Sequence, residues 1–122
     1  MNQIDVKVET SYIESQSAPE RIHYVFSYSV TIHNAGSVAA RLLNRHWVIT
    51  DANGKVQEVV GEGVVGQTPF LRPGEHFQYT SGTALETPVG SMQGSYQMRS
   101  EQGDHFDAPI DPFTLAKPRS LH

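Results

Sequence analysis

Six large apolar side chains, Ile22, Tyr24, Phe26, Tyr28, Val30 and Ile32, fall on one parity of a single segment, and His23, Ser27, Ser29, Thr31 and His33 fall on the other. Successive side chains of an extended chain point to opposite faces, so this spacing predicts a strand with one apolar and one wet face. A helix would need apolar residues every three to four positions and would scatter these six around its circumference. The same alternation holds at the start of the chain, where Ile4, Val6 and Val8 interleave with Asp5, Lys7 and Glu9.

The rest of the chain reads as short strands between turns. A third strand is predicted over residues 42–50, with Leu43, Trp47 and Ile49 on its core face. Arg45 shares that parity and is therefore expected at a strand end or in a bulge. Asp51-Ala52-Asn53-Gly54 is a hairpin signal, because Asn-Gly adopts positive φ at little cost. A short strand over 55–60 leads into the loop Gly61-Glu62-Gly63-Val64-Val65-Gly66, and Leu71-Arg72-Pro73-Gly74-Glu75 reads as a turn. Further strands are predicted over 76–81 and over 94–101, the latter with Tyr96 and Met98 inward. The segment around residues 85–90 reads as a crossover between sheets. The last strand, 105–115, carries Pro109 and Pro112, which donate no ladder hydrogen bonds and mark an edge or bulged strand. Seven or eight strands with closely spaced turns predict an all-β fold, a two-sheet antiparallel β-sandwich of the fibronectin type III or immunoglobulin kind. One domain over 1–122 is expected, with an ordered core over about 4–115 and a frayed tail over 116–122.

Composition narrows the function classes. The chain has no cysteine, so disulfides and thiolate metal sites are excluded, and a reducing compartment fits. A formal net charge of -4 argues against general nucleic-acid binding, which needs a basic surface; Arg41 and Arg45 are the nearest to a basic cluster. The first residues, Met1-Asn2-Gln3-Ile4-Asp5, have neither the basic nor the apolar region of a signal peptide, and no apolar run is long enough for a membrane helix. The expectation is a cytoplasmic protein without a membrane partner.

Several blocks resemble the ApaG family. They are Ile32-His33-Asn34, Leu42-Leu43-Asn44-Arg45-His46-Trp47, Gly61 through Pro69, Leu71-Arg72-Pro73-Gly74-Glu75, Tyr79-Thr80-Ser81-Gly82, Thr87-Pro88 and Gly94-Ser95-Tyr96-Gln97-Met98. The resemblance runs from about Ile4 to Leu115. It implies a fibronectin type III-like sandwich standing alone as a bacterial protein. It also implies kinship with domains of eukaryotic F-box and polymerase-interacting proteins, where they look like protein-binding modules. The bacterial family carries a link to cobalt and magnesium resistance or efflux that names no chemistry.

The residues themselves offer three candidate sites. Gly61, Gly63 and Gly66 have dinucleotide-loop spacing, but no helical pattern follows Gly66 and Pro69 interrupts the next residues. A glycine corner of the sandwich is the simpler reading. A nest of backbone amides binding phosphate or a nucleotide, with Arg72 lending charge, is the functional one. His105 and Asp107 share a parity near Asp104 and Asp111 and are the best local metal candidates, for a hard cation such as magnesium, but a solvated acidic edge strand is the simpler reading; cobalt would prefer imidazoles, and no two histidines can be placed together from sequence. His23 and His33 lie too far apart along one strand to share an ion. The third candidate is an interaction surface: His46 points away from the Trp47 core side, and Ser81 and Gly82 lie beside the glycine loop in the expected contact region.

No catalytic constellation is evident, since there is no Gly-x-Ser-x-Gly elbow and no nucleophile with an adjacent base. The expectation is a non-enzymatic binding or adaptor module for a protein partner, without a cofactor beyond a weakly held divalent cation. Edge strands would also permit a homodimer. The alternative is a binder of phosphate, nucleotide or a divalent cation.

Overall fold

The alternation of the second strand is carried through in the computed structural model, which describes residues 1–118. In β2 (Tyr24–Asn34) the side chains of Phe26, Tyr28, Val30, Ile32 and Asn34 are buried and those between them are half-buried. Seven further strands are β1 (Ile4–Tyr12), β3 (Ala40–Asp51), β4 (Val56–Glu62), β5 (Phe70–Leu71), β6 (His76–Leu85), β7 (Val89–Ser100) and β8 (His105–Ala116). Two single 3-10 turns, Glu14–Gln16 and Pro19–Arg21, are the only helical elements among the described residues.

The strands form two antiparallel sheets. One has the order β1-β2-β6; the other has the order β4-β3-β7-β8, with β5 paired to the beginning of β3. The apolar faces meet in one core of Phe26, Val30, Ile32, Leu42, Trp47, Met92, Tyr96, Met98, Ile110 and Leu115, among others. Trp47 stands at its centre. Its ring makes edge contacts with Tyr28 of the facing sheet at 5.3 Å, and with Tyr96 and Phe113 of its own sheet at 6.2 and 5.9 Å. These are the geometries that aromatic quadrupoles favour. Gly94 lies opposite Trp47 across β3–β7, where an added Cβ would collide with the backbone carbonyl of His46.

The predicted sandwich is therefore the observed fold, and its departures from expectation have local causes. Ile22 does not join the apolar face of β2. It caps the Pro19–Arg21 turn in a left-handed conformation (φ 50°), and its side chain is exposed. Leu42, not Leu43, is the core residue at the start of β3. A bulge between Leu42 and Asn44 adds one residue and shifts the parity. Arg45 stays on the Trp47 face in the body of β3, rather than at an end or in the bulge, because carbonyls meet its guanidinium there. The crossover from β6 to β7 spans three residues, since both strands run further than expected. Its Thr87 hydroxyl accepts from Ala52 N–H and donates to the Val89 carbonyl. β8 is an edge strand, and Asp111 and Pro112 fall in its register shift against β7. Of the expected tail, Ala116 ends β8 and Lys117 N–H donates to the Pro88 carbonyl, while residues 119–122 lie outside the described residues.

Candidate functional site

The glycine-rich segment is not one loop. Gly61 and Glu62 belong to β4, and the chain reverses at Val64–Gln67, whose backbones exchange two hydrogen bonds at 2.8 and 2.9 Å. The two central residues, Val65 and Gly66, both have positive φ, 43° and 79°. This is the backbone of a tight primed-type turn, and no helix follows it. The amide-cradling helix start of a dinucleotide site is thus absent from this segment. Gly63 is required sterically as well: a Cβ there would strike the Gln67 carbonyl. Gly61 has another task, because a Cβ would lie 2.7 Å from the Arg45 guanidinium, which rests on the bare Gly61 backbone. Val65 is a β-branched residue held in the left-handed region, a strained state. Val65→Asn recreates the favoured Asn-Gly turn and is expected to raise stability by about 1 kcal/mol, measured by urea unfolding.

Behind this turn a cavity of about 310 Å³ opens between the sheets, lined by Tyr28, Arg45, Trp47, Glu62, Val64, Val65, Gly66, Tyr79 and Ser81. Arg45 is half-buried, and its Nη1 donates to the Glu62 and Gly63 carbonyls at 3.0 Å each, tying the β3 side chain to the turn. Trp47 is buried, and its Nε1–H has no hydrogen-bond partner among the described residues. The hydroxyls of Tyr79 and Tyr96 lie 2.5 Å apart. Tyr96 is fully enclosed and meets no other hydroxyl partner among the described residues, and either hydroxyl can donate in this bond. In the arrangement where Tyr96 donates, the Tyr79 proton is free to turn toward the cavity that Tyr79 lines.

Burial pushes the Tyr79 phenol up to about 12, and burial raises Tyr96 further, with the Tyr79 neighbour adding to it. An unfolded tyrosine ionises near 10. Because the folded values are raised, the stabilisation is complete below about pH 10 and is lost as pH climbs through 12. Urea unfolding at pH 9 and pH 11 should show this loss in the native chain and a smaller loss in Tyr96→Phe.

On the same flank, β4 is the terminal strand of its sheet. Val56 and Val60 are 56% and 73% exposed on its outer face. His46 lies directly across from Val60, half-buried, with Nε2 3.2 Å from a Glu58 carboxylate oxygen. The expected interaction residues are thereby separated. His46 belongs to the outer face of the five-stranded sheet and Ser81 lines the cavity. Gly82 is exposed on the opposite face of β6 from Ser81.

Arg72 is not the cation of the glycine turn. It is exposed, lies over the Phe70 ring at 5.9 Å and sits 4.0 Å from Glu75, while Arg45 occupies the place expected for it. His105 and Asp107 are both exposed and border a groove with Leu43, Asn44 and Gln97. Among the described residues no three His, Asp or Glu side chains converge as metal ligands. His33 and His76, which sequence reasoning did not bring together, stack at 4.2 Å because the β2–β6 register sets them opposite each other. Trp47 and Tyr79 were equally hidden as site residues, since the signal that marks them as core is the one that conceals their polar ends.

No helix among the described residues is long and apolar enough to cross a membrane. The profile of the ApaG domain matches residues 14–100. Proteins named ApaG from Azoarcus sp. strain BH72 and Thiobacillus denitrificans are 61% and 62% identical over 119 and 120 residues, covering 98% of this chain and 94% of each relative. A crystal structure of a Bordetella pertussis protein designated ApaA superposes with a TM-score of 0.95 at 50% identity, covering 98% of this chain and 97% of the other. With a matched profile, full-length relatives and a superposable structure, the chain belongs to the ApaG family.

Proposed function

We propose that this ApaG domain is a non-enzymatic binding module of the bacterial cytoplasm that receives an extended segment of a partner protein along β4. The observation that carries this reading is the character of that edge. Val56 and Val60 are exposed on a terminal strand, and the interior of β4 holds neither lysine nor proline. Natural edge strands are usually blunted by such residues, and an unblunted one is a template for an incoming strand. Glu58 and Glu62 on β4, with the overall charge of -4, favour a partner segment carrying basic residues. The cobalt and magnesium link that the resemblance implies belongs, on this reading, to the partner's role.

The test is a comparison of the native chain with Val56→Glu/Val60→Lys in quantitative affinity capture from bacterial lysate. Both sites are on the surface, so the melting temperature should stay within about 2 °C, as surface substitutions usually change stability little. The expected result is at least one protein captured by the native chain and lost from the variant. Identical captures would overturn the reading. Sedimentation at rising concentration runs alongside it: a dimer abolished by the variant would assign the edge to a second copy of this chain instead.

A further inference from the structure

We propose that the cavity behind the Val64–Gln67 turn is a binding site for a small phosphate-type oxyanion, held by side-chain donors from both sheets. Three independent features converge on this chemistry. The buried Trp47 Nε1–H is a donor with no partner among the described residues, on a side chain that lines the cavity. Leaving such a group unsatisfied costs about 1–3 kcal/mol; the nitrogen is enclosed, so an acceptor recovers that cost only as the cavity lining shifts to admit it. The Tyr79–Tyr96 pair adds a second donor: either hydroxyl can donate in their bond, and with an anion in the cavity Tyr96 donates to Tyr79 while the Tyr79 proton turns to the anion. Arg45 supplies the positive charge. Its described hydrogen bonds all use Nη1, so the other edge of the guanidinium remains available.

The arrangement selects phosphate over a carboxylate by shape. Donors come from β3 on one wall and from β6 on the other, with the Ser81 hydroxyl group also on the β6 side. A tetrahedral oxyanion presents oxygens to several walls, whereas a planar carboxylate offers two oxygens in one plane. The volume of about 310 Å³ accommodates phosphate or pyrophosphate. Glu62 is the one acidic residue of the lining; its side chain is exposed, and its charge opposes an anion. The site shares Glu62 with the end of β4 but uses neither of the exposed valines of that edge. It also differs from a glycine-nest site in that donors are side chains, and the glycines clear space for Arg45 and turn the chain.

The chain has a single tryptophan, so one indole N–H resonance reports on the cavity. Titrating the full chain labelled with nitrogen-15 with inorganic phosphate, pyrophosphate and acetate should shift that resonance saturably for phosphate or pyrophosphate and far less for acetate. Phosphate and pyrophosphate compared with each other show which is the better fit. Arg45→Gln should weaken binding at least tenfold, and Glu62→Gln, an exposed substitution that leaves the fold intact, should tighten it two- to fivefold. Val60→Lys should leave it unchanged, which separates this site from the edge. An indole resonance unmoved by 20 mM pyrophosphate, a stronger response to acetate, or weaker binding in Glu62→Gln would each overturn the proposal.

Discussion

Asn34→Ala is expected to destabilise the domain by about 3–5 kcal/mol, through buried polar groups left without partners. The residue ends β2 fully enclosed, and its amide answers three backbone groups at once. Its Nδ2 donates to the Val38 carbonyl at 3.0 Å and to the Leu71 carbonyl at 2.9 Å, while Oδ1 accepts from Gly36 N–H at 2.9 Å. One side chain thus holds the β2–β3 connection and pins β5 to it. Its own backbone accepts from Gly74 N–H and donates to the Glu75 carbonyl, binding the next turn to the same point. Alanine removes all three side-chain bonds and leaves the Val38 and Leu71 carbonyls and the Gly36 N–H without their partner. At this chain length, about 4 °C of melting temperature accompanies each kcal/mol, so a fall of roughly 15 °C should appear in a thermal melt. Asn34→Asp tests the cause. It keeps the shape and the acceptor but cannot donate to two carbonyls, so it should be no more stable than alanine at pH 7.

Trp47→Ala should cost about 3–5 kcal/mol as well, through transfer and cavity terms. The indole bridges the sheets, touching Tyr28 on one side and Tyr96 and Phe113 on the other. No small residue collapses that space, because Gly94 already holds β7 against the Trp47 backbone. Trp47→Phe retains much of the aromatic contact and relieves the unpartnered indole N–H, so it should lose no more than about 2 kcal/mol. Urea unfolding measures both; an unchanged m-value would confirm that the native state, not the denatured ensemble, was altered.

What the amino-acid sequence discloses about this fold follows from the period of two. The parity of Phe26, Tyr28, Val30 and Ile32 identifies a buried face, and the prolines of β8 identify an edge, because both signals are local. Register is not local. His33 meets His76, and Trp47 faces Gly94, through pairings fixed by the whole sheet. One inserted residue at the Leu42/Asn44 bulge exchanges Leu43 for Leu42 in the core, which alternation by itself does not foresee. The glycine spacing of residues 61–66 was visible, yet each glycine answers a different steric need. The neighbouring cation is Arg45, sixteen residues before Gly61, and not Arg72. The role of Asn34 is not legible in the sequence, because it depends on Leu71 arriving from another strand.

The binding role of the β4 edge is tested most directly by a photo-crosslinking residue placed at Val60 in one version of the chain and at Glu9 of β1 in another, expressed in a related bacterium and irradiated in living cells. Position 60 should yield discrete adducts with a partner protein and position 9 should yield none. Equal adducts from both positions, or none from position 60, would contradict a partner docked along this strand.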